Sequence, residues 1–258
     1  MKIAFSGKGG VGKTTLAAAF IKILADAKRR VLAIDADPNS NLAGLLGFAG
    51  SGPITPIAEM KELIYARMEV PPDERSSFYK LNPRIDDIPD RFRLTNGTIS
   101  LIVMGTVDAG GSGCVCPESK FLKELVSHLV LGEGEDIIMD MEAGIEHLGR
   151  ATASSVDCLV CVVEPSIASI DTALRVQKLA GDIGIATCFL ANKIRAKEDE
   201  EFISARLAKR LIIGAVPLDD EINQLSRRGD SLLKLADNKA VQAVSGIVER
   251  LLRTSSSQ

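Results

Sequence analysis

Eight residues near the start of the chain, Gly7-Lys8-Gly9-Gly10-Val11-Gly12-Lys13-Thr14, constrain the fold more than any other stretch. They fit the frame G-x-x-x-x-G-K-[ST], in which backbone amides cradle phosphates, a lysine reaches the outer phosphates and a hydroxyl faces Mg²⁺. The flanks are the ones such a loop needs. Lys2-Ile3-Ala4-Phe5-Ser6 is a short apolar run ending at Gly7, as a buried parallel strand does. From Thr14 to Lys28 the chain places Leu16, Phe20, Ile23, Leu24 and Ala27 on one helical face. Strand, glycine loop and helix N-terminus together aim N–H groups and a helix dipole at an anion. Lys13 is then the lysine of the β- and γ-phosphates, and Gly9, Gly10, Val11 and Gly12 belong to the cradle. Thr14 offers its hydroxyl to Mg²⁺, and Thr15 lies near the α-phosphate. Lys8 is an extra cation at the mouth of the loop, too near the turn to curl back easily onto its own phosphates. It makes sense if it reaches a nucleotide held by another copy of the chain, so the loop suggests both an ATPase and a dimer.

Beyond the loop, apolar strands alternate with helical patterns. The strands are read at 31–35, 99–104, 136–140, 158–163, 187–191 and 211–216, with helices around 117–131, 167–181, 199–210 and 220–228. Continuous apolar strands separated by helices imply an α/β fold: a mostly parallel sheet covered by helices on both faces, with ligands at the strand C-terminal ends. The chain has 258 residues and no Pro/Gly-rich linker or internal repeat, which favours one domain over 1–258. Residues 50–98, with six prolines, read as an irregular insertion of loops and short helices, including one helix near 57–68; such segments are usually surface. Residues 254–258 form a polar tail. With 46% hydrophobic and 25% charged residues an ordinary core is expected. A net charge of −3 argues against a nucleic-acid partner, and no apolar run is long enough for a membrane span. The first strand begins at Lys2 with no leader before it, and five cysteines do not suggest a disulfide framework; both point to the cytoplasm.

Three carboxylates complete the phosphate chemistry. Asp140 ends an apolar strand, where a Walker-B aspartate would hold the metal through water. Asp35 and Asp37, in Asp35-Ala36-Asp37-Pro38, close the second strand. One of them can steady the Mg²⁺ shell while the other orients water against the γ-phosphate. A turn-forming D-x-D-P is the plainer alternative.

These residues carry a resemblance. G-K-G-G-V-G-K-T-T, the D-A-D-P after strand two, and D-M-E-A-G-I-E from Asp140 resemble the deviant-Walker ATPases, the class of the nitrogenase iron protein and the Min- and Par-type ATPases. The resemblance implies that Lys8 crosses a nucleotide-sandwich dimer to the partner's phosphates. It implies that Asp37 is the hydrolytic aspartate of switch I, and that 140–145 is switch II. Asn192 and Lys193 resemble the adenine-reading position, and the turn Val216-Pro217-Leu218 resembles the other wall of that pocket.

Cys114-Val115-Cys116 follows the glycine-rich run Gly110-Gly111-Ser112-Gly113 and precedes Pro117, where a helix should start. One chain offers two thiols, and a closed thiolate site wants four. A two-fold dimer that brings the motif against itself supplies them, in a setting suited to Zn²⁺ or, if square-planar, Ni²⁺. Cys158, Cys161 and Cys188 lie in apolar strands and read as core. The pattern G-x-G-C-x-C before a helix, together with D-M-E-A-G-I-E-H-L-G-R, resembles the CooC-type maturation ATPases of nickel carbon monoxide dehydrogenase over nearly the whole chain. That resemblance implies ATP/ADP and Mg²⁺ at the loop and Ni²⁺ or Zn²⁺ at Cys114 and Cys116. It further implies a homodimer formed on ATP or metal binding, and delivery of nickel to an apo-enzyme. Glu142, Glu146 and His147 fall in the family's switch II stretch and could relay nucleotide state to the metal; His147 is more often a hydrogen-bonding residue than a ligand, and His128 reads as structural. Other clients, such as an acetyl-CoA synthase, stay open, as does a Min/Par-type positioning or partitioning ATPase. For the latter, the C-terminal stripe Val241, Val244, Ile247, Val248, Leu251 and Leu252 has few basic flanks, and it reads as packing on the sheet.

Overall fold

A run of apolar β-branched residues cannot be half-solvated, so the strands of this chain are buried on both faces. In the computed structural model β1 (Lys2–Ser6), β2 (Val31–Ala36), β4 (Ile99–Val103), β5 (Asp136–Met141), β6 (Cys158–Val163), β7 (Thr187–Ile194) and β8 (Ile212–Pro217) are parallel. β3 (Leu94–Asn96) joins them antiparallel at one edge, giving the order β3-β4-β2-β5-β1-β6-β7-β8. The structure describes residues 1–38, 41–48, 50, 52–70, 79–106, 117–131, 134–142, 156–235 and 238–255. The helices among them are α1 (Lys13–Asp26), α2 (Leu42–Leu45), α3 (Lys61–Met68), α4 (Ile88–Phe92), α5 (Pro117–Leu131), α6 (Ile167–Asp182), α7 (Lys197–Ser204), α8 (Asp220–Arg228) and α9 (Lys239–Ser255).

Strand alternation sorts the core into two layers. Ile3 and Phe5 face one side with Phe20, Leu24, Leu42, Val244 and Ile247, so α1, α2 and α9 cover that face. Ala4 faces the other with Ile64, Met68, Phe121, Leu125, Ile170 and Ile203, under α3, α5, α6 and α7. The rings of Phe5 and Phe20 meet edge-on at 5.0 Å and 77°, locking α1 over β1.

The structure departs from the sequence reading at three places. The edge strand β3 lies inside the stretch read as irregular. It turns into β4 through Gly97-Thr98, with Gly97 at φ 60, a two-residue hairpin whose first position wants glycine. That turn is too short a signal to register among the surrounding charges. The same stretch is also less superficial than expected, because Ile57, Ile64, Met68 and Ile88 are fully buried against the α5 layer. The helix read over 199–210 stops at Ser204; a short 3₁₀ turn at Lys209–Leu211 then leads into β8.

The C-terminal helix α9 packs on β8 and α1, with Val244, Ile247 and Val248 1% exposed. Ile247 lies so close to β8 that a Cβ on Gly214 would come within 2.6 Å of it. Arg250 adds a hydrogen bond to the Ile213 carbonyl on the edge strand, 2.8 Å away. Among the described residues no helix is long and apolar enough to cross a membrane. If α9 is core, Ile247→Ala should lower the urea-unfolding free energy by about 2–5 kcal/mol. A helix held loosely on the surface would lose almost nothing.

Candidate functional site

The strand register gathers the site before any side chain is considered. Phe5 of β1 pairs with Asp140 of β5, and Asp140 pairs with Asp35 of β2, so three central strands end level with one another. On the other side Ser6 pairs with Cys161 of β6, and β6 pairs with β7. The loop after β1 therefore emerges between the carboxylates of β5 and β2 and the strand ends of β6 and β7. This is the C-terminal edge at which open α/β sheets bind ligands.

The loop's glycines are forced. Gly7 sits at φ 140, and a Cβ there would lie 2.4 Å from the Val162 carbonyl oxygen on β6. Gly12 sits at φ 97, with its missing Cβ 2.5 Å from Asn192 Nδ2. Gly12 is also the N-cap of α1, so no side chain caps the helix and no acidic residue occupies its first turn. The amides at that end are left for an anion. Lys13 is buried at 6% exposure, its Nζ 3.5 Å from the Lys8 carbonyl oxygen. Lys8 itself is half-buried, at the mouth of the loop.

Asp140 is fully buried, and neither carboxylate oxygen closes a hydrogen bond. Burial pushes its pKa up to about 7; the nearby Thr14 hydroxyl draws it down, the charges of Asp35 and Asp37 raise it, and Lys13 lowers it. An orphaned carboxylate beside a threonine hydroxyl is costly in an empty core. It is well matched to a hard divalent cation that takes oxygen ligands and shares phosphate oxygens. Magnesium thus fits the residues present, with Thr14 and Asp140 as the protein groups that would hold it.

Asp35 is placed differently. Its carboxylate accepts the backbone N–H of Asp37 at 3.3 Å and of Leu42 at 3.1 Å, bracing the turn that carries Asp37. Burial raises its pKa to about 6, with the two amides pulling the other way. Asp37 stands at the edge of the site, half-buried.

Asn192 and Lys193 end β7 behind the loop. Asn192 Nδ2 donates to the Val11 carbonyl at 2.8 Å, and Lys193 Nζ donates to the Gly10 carbonyl at 2.6 Å. Lys193 also pairs with Glu164, at 3.0 Å. Both amino-bearing groups read as adenine contacts are thus engaged on loop carbonyls. Asn192 still borders a cleft of about 480 Å³, counted to its open mouth, together with Pro217, Leu218, Ile222, Val241 and Val244. Its apolar walls and position beside Gly12 and Thr15 suit a nucleobase.

Glu164 escaped the sequence reading. Its signal was the same as that of Asp140, an acid at the end of an apolar strand. Cys114, Cys116, Glu146 and His147 lie outside the described residues. Glu142 is exposed at the end of β5, its carbonyl accepting from Ser6 Oγ at 3.1 Å. His128 is exposed on α5. Among the described residues no group of three or more His, Cys, Asp or Glu could hold a metal ion. Cys158, Cys161 and Cys188 are free thiols within the strands, and burial pushes Cys161 up to about 12, as for an inert core residue.

The doubly covered parallel sheet and its glycine loop, with a buried acid beside Thr14, define a P-loop ATPase. Residues 2–233 match the CobQ/CobB/MinD/ParA nucleotide binding domain. The chain is 40% identical to the carbon monoxide dehydrogenase accessory protein CooC of Rhodospirillum rubrum, over 97% of both chains. It is 38% identical to an uncharacterized ATP-binding protein of Methanocaldococcus jannaschii, over 98% of both. Among solved structures, the MinC:MinD cell division protein complex of Aquifex aeolicus superposes with a TM-score of 0.69 at 24% identity, covering 97% of this chain and 95% of that one, and so shares the fold. The chain belongs to the CobQ/CobB/MinD/ParA nucleotide-binding family, as an ATPase of the CooC type.

The two buried acids set a pH dependence for the nucleotide- and metal-free protein. Each has a folded pKa above its ordinary value near 3.8. The native state then binds more protons than the unfolded chain between about pH 4 and pH 7, so stability falls as pH rises through that window. Asp140→Asn removes the larger part. In chelator, urea unfolding should show the variant more stable than its parent at pH 8 by roughly 1–4 kcal/mol, with the gap closing near pH 4. An equal gap at both pH values would contradict the assignment.

Proposed function

We propose that the chain is a dimeric, ATP-driven metallochaperone that helps insert nickel into a carbon monoxide dehydrogenase. The observation that carries this reading is the end-to-end 40% identity with a carbon monoxide dehydrogenase accessory protein, in a chain that also has the Cys114-Val115-Cys116 motif.

On this reading ATP binds with its phosphates on the amides of Gly9 to Thr15, and Lys13 neutralises the β- and γ-phosphates. Magnesium, when bound, supplies charge neutralisation at the phosphate oxygens. Asp37 orients the attacking water, and Asp35 holds the turn that presents it. Phosphoryl transfer asks the protein for positioning and charge more than for covalent help, and these groups supply both. Asn192, Lys193 and Pro217 enclose the base from two sides.

Lys8 reaches the nucleotide of the second protomer, so ATP closes the dimer. Closure aligns Cys114 and Cys116 with their counterparts, giving four sulfurs for Ni²⁺, or for Zn²⁺ in a tetrahedral setting. Hydrolysis opens the dimer and loosens the metal, which passes to the apo-enzyme in the cytoplasm. Glu142 follows directly on the strand that carries Asp140, within the stretch 140–145 read as switch II.

Metal titration separates the parts of this scheme. The wild type should bind one Ni²⁺ per dimer, and Cys114→Ser/Cys116→Ser should bind none; an unchanged stoichiometry would remove the cysteine site. Lys8→Ala should stay monomeric with ATP and lose hydrolysis by about 100-fold or more. A Lys8→Ala protein that dimerises and turns over normally would end the cross-protomer role.

A further inference from the structure

We infer that Cys158 and Cys188 form a redox-sensitive thiol pair: a hydroperoxide oxidises Cys158, and Cys188 then closes a disulfide onto it. Strand register brings the two together. Val160 of β6 lies opposite Cys188 of β7, so Cys158 stands two residues back on the same face of the sheet. Both thiols accordingly belong to the layer of Ile3 and Leu24. Cys161 belongs to the opposite layer, with Ala4 and Leu159. Cys188 leans toward β6, its Sγ 3.9 Å from the carbonyl oxygen of Leu159, the residue after Cys158. The two cysteine side chains are also hydrogen-bonded to each other.

The two thiols differ in the way such chemistry needs. Cys158 is half-buried at the first position of β6, within reach of a small oxidant, whereas Cys188 is buried at 7% exposure. The hydrogen bond from Cys188 holds the Cys158 thiol below its ordinary pKa, against the opposing effect of burial, and the backbone N–H of Cys188 acts the same way. The same contact, together with burial, pushes Cys188 up. A thiolate is the form that attacks a peroxide, so the more exposed member is the nucleophile and the buried one resolves it. Cys161 is fully buried and has no such access.

The electrons balance with one hydroperoxide. The Cys158 sulfur attacks a peroxide oxygen. The O–O bond breaks, an S–O bond forms, and the departing oxygen takes up the proton that the thiol released. With hydrogen peroxide the products are a Cys158 sulfenic acid and water. The Cys188 sulfur then attacks the Cys158 sulfur, the S–O bond breaks, and the hydroxyl leaves as a second water with the Cys188 proton. The two sulfurs lose two electrons in all, and the peroxide gains them. Diagonal neighbours on adjacent strands stand about 7–8 Å apart at their α-carbons. That is long for a disulfide, so the bond closes with a shift of Cys158 toward β7 and is correspondingly easy to reduce.

The test uses the full chain carrying Cys114→Ser/Cys116→Ser, which leaves three of its five cysteines. After dilute hydrogen peroxide under native conditions, then alkylation, peptide mass spectrometry should find one intrachain link, between Cys158 and Cys188, that dithiothreitol reverses. Cys161→Ala should form the same link at the same rate. Cys188→Ala should stop at a Cys158 sulfenic acid that dimedone traps. Cys158→Ser should leave Cys188 reduced, its consumption slowed about tenfold or more. Circular dichroism checks that each variant is folded, and the link mapped in the parent decides alone where a core variant is not. Absence of the link overturns the inference, as does a link through Cys161 or oxidation of Cys158 no faster than that of Cys161.

Discussion

The chain can leave β1 for the phosphate loop only through a residue with no side chain. Gly7 passes directly against the Val162 carbonyl, and its φ of 140 is one a residue with a Cβ rarely adopts. That close passage brings the loop down onto the sheet edge instead of arching over it. Everything else in the site depends on this depth. Lys13 becomes buried, α1 begins with uncapped amides at the right height, and Asp140 lies level with Phe5 on the neighbouring strand. The tight β1–β6 pairing that makes Gly7 necessary also brings Glu164 within reach of the loop from the far side.

Two carboxylates on adjacent strands then divide the work by their partners. Asp35 is saturated by two backbone amides and serves the turn. Asp140, at the same level one strand away, has the Thr14 hydroxyl and the Lys13 charge nearby but closes no hydrogen bond with either oxygen, a setting suited to a cation. The division arises locally. The chain after β2 doubles back over its own strand end to begin α2, so amides are at hand for Asp35. No described backbone amide bonds Asp140.

The parallel strands and the loop were legible because their signals are dense and local: continuous apolar runs, and glycines at fixed spacing next to Lys13 and Thr14. The edge hairpin was not, because a three-residue strand shows no periodicity and Gly97-Thr98 is a two-letter signal. The partial burial of the insertion was missed for a different reason. Ile64 and Met68 are four apart and share a helical face, but only the tertiary structure says that α5 lies there to receive them. At the site, Asp140 could be found from its position at a strand end. The same position holds Glu164, yet its ion-pair partner Lys193 is 29 residues further on. Strand-end residues named from a family pattern, such as Asn192, lie beside the loop. Their hydrogen bonds to loop carbonyls are a property of register across β1, β6 and β7 that no linear motif encodes.

The contact between the insertion and α5 has a mechanical side. Tyr65 on α3 donates to Glu118 in the first turn of α5, at 2.6 Å, two residues after the cysteine motif ends. Beneath, Phe121 and Leu125 anchor the same helix to the sheet. The helix is therefore gripped at its start from two directions. A roll of α5 about its axis would have to break the Tyr65–Glu118 hydrogen bond.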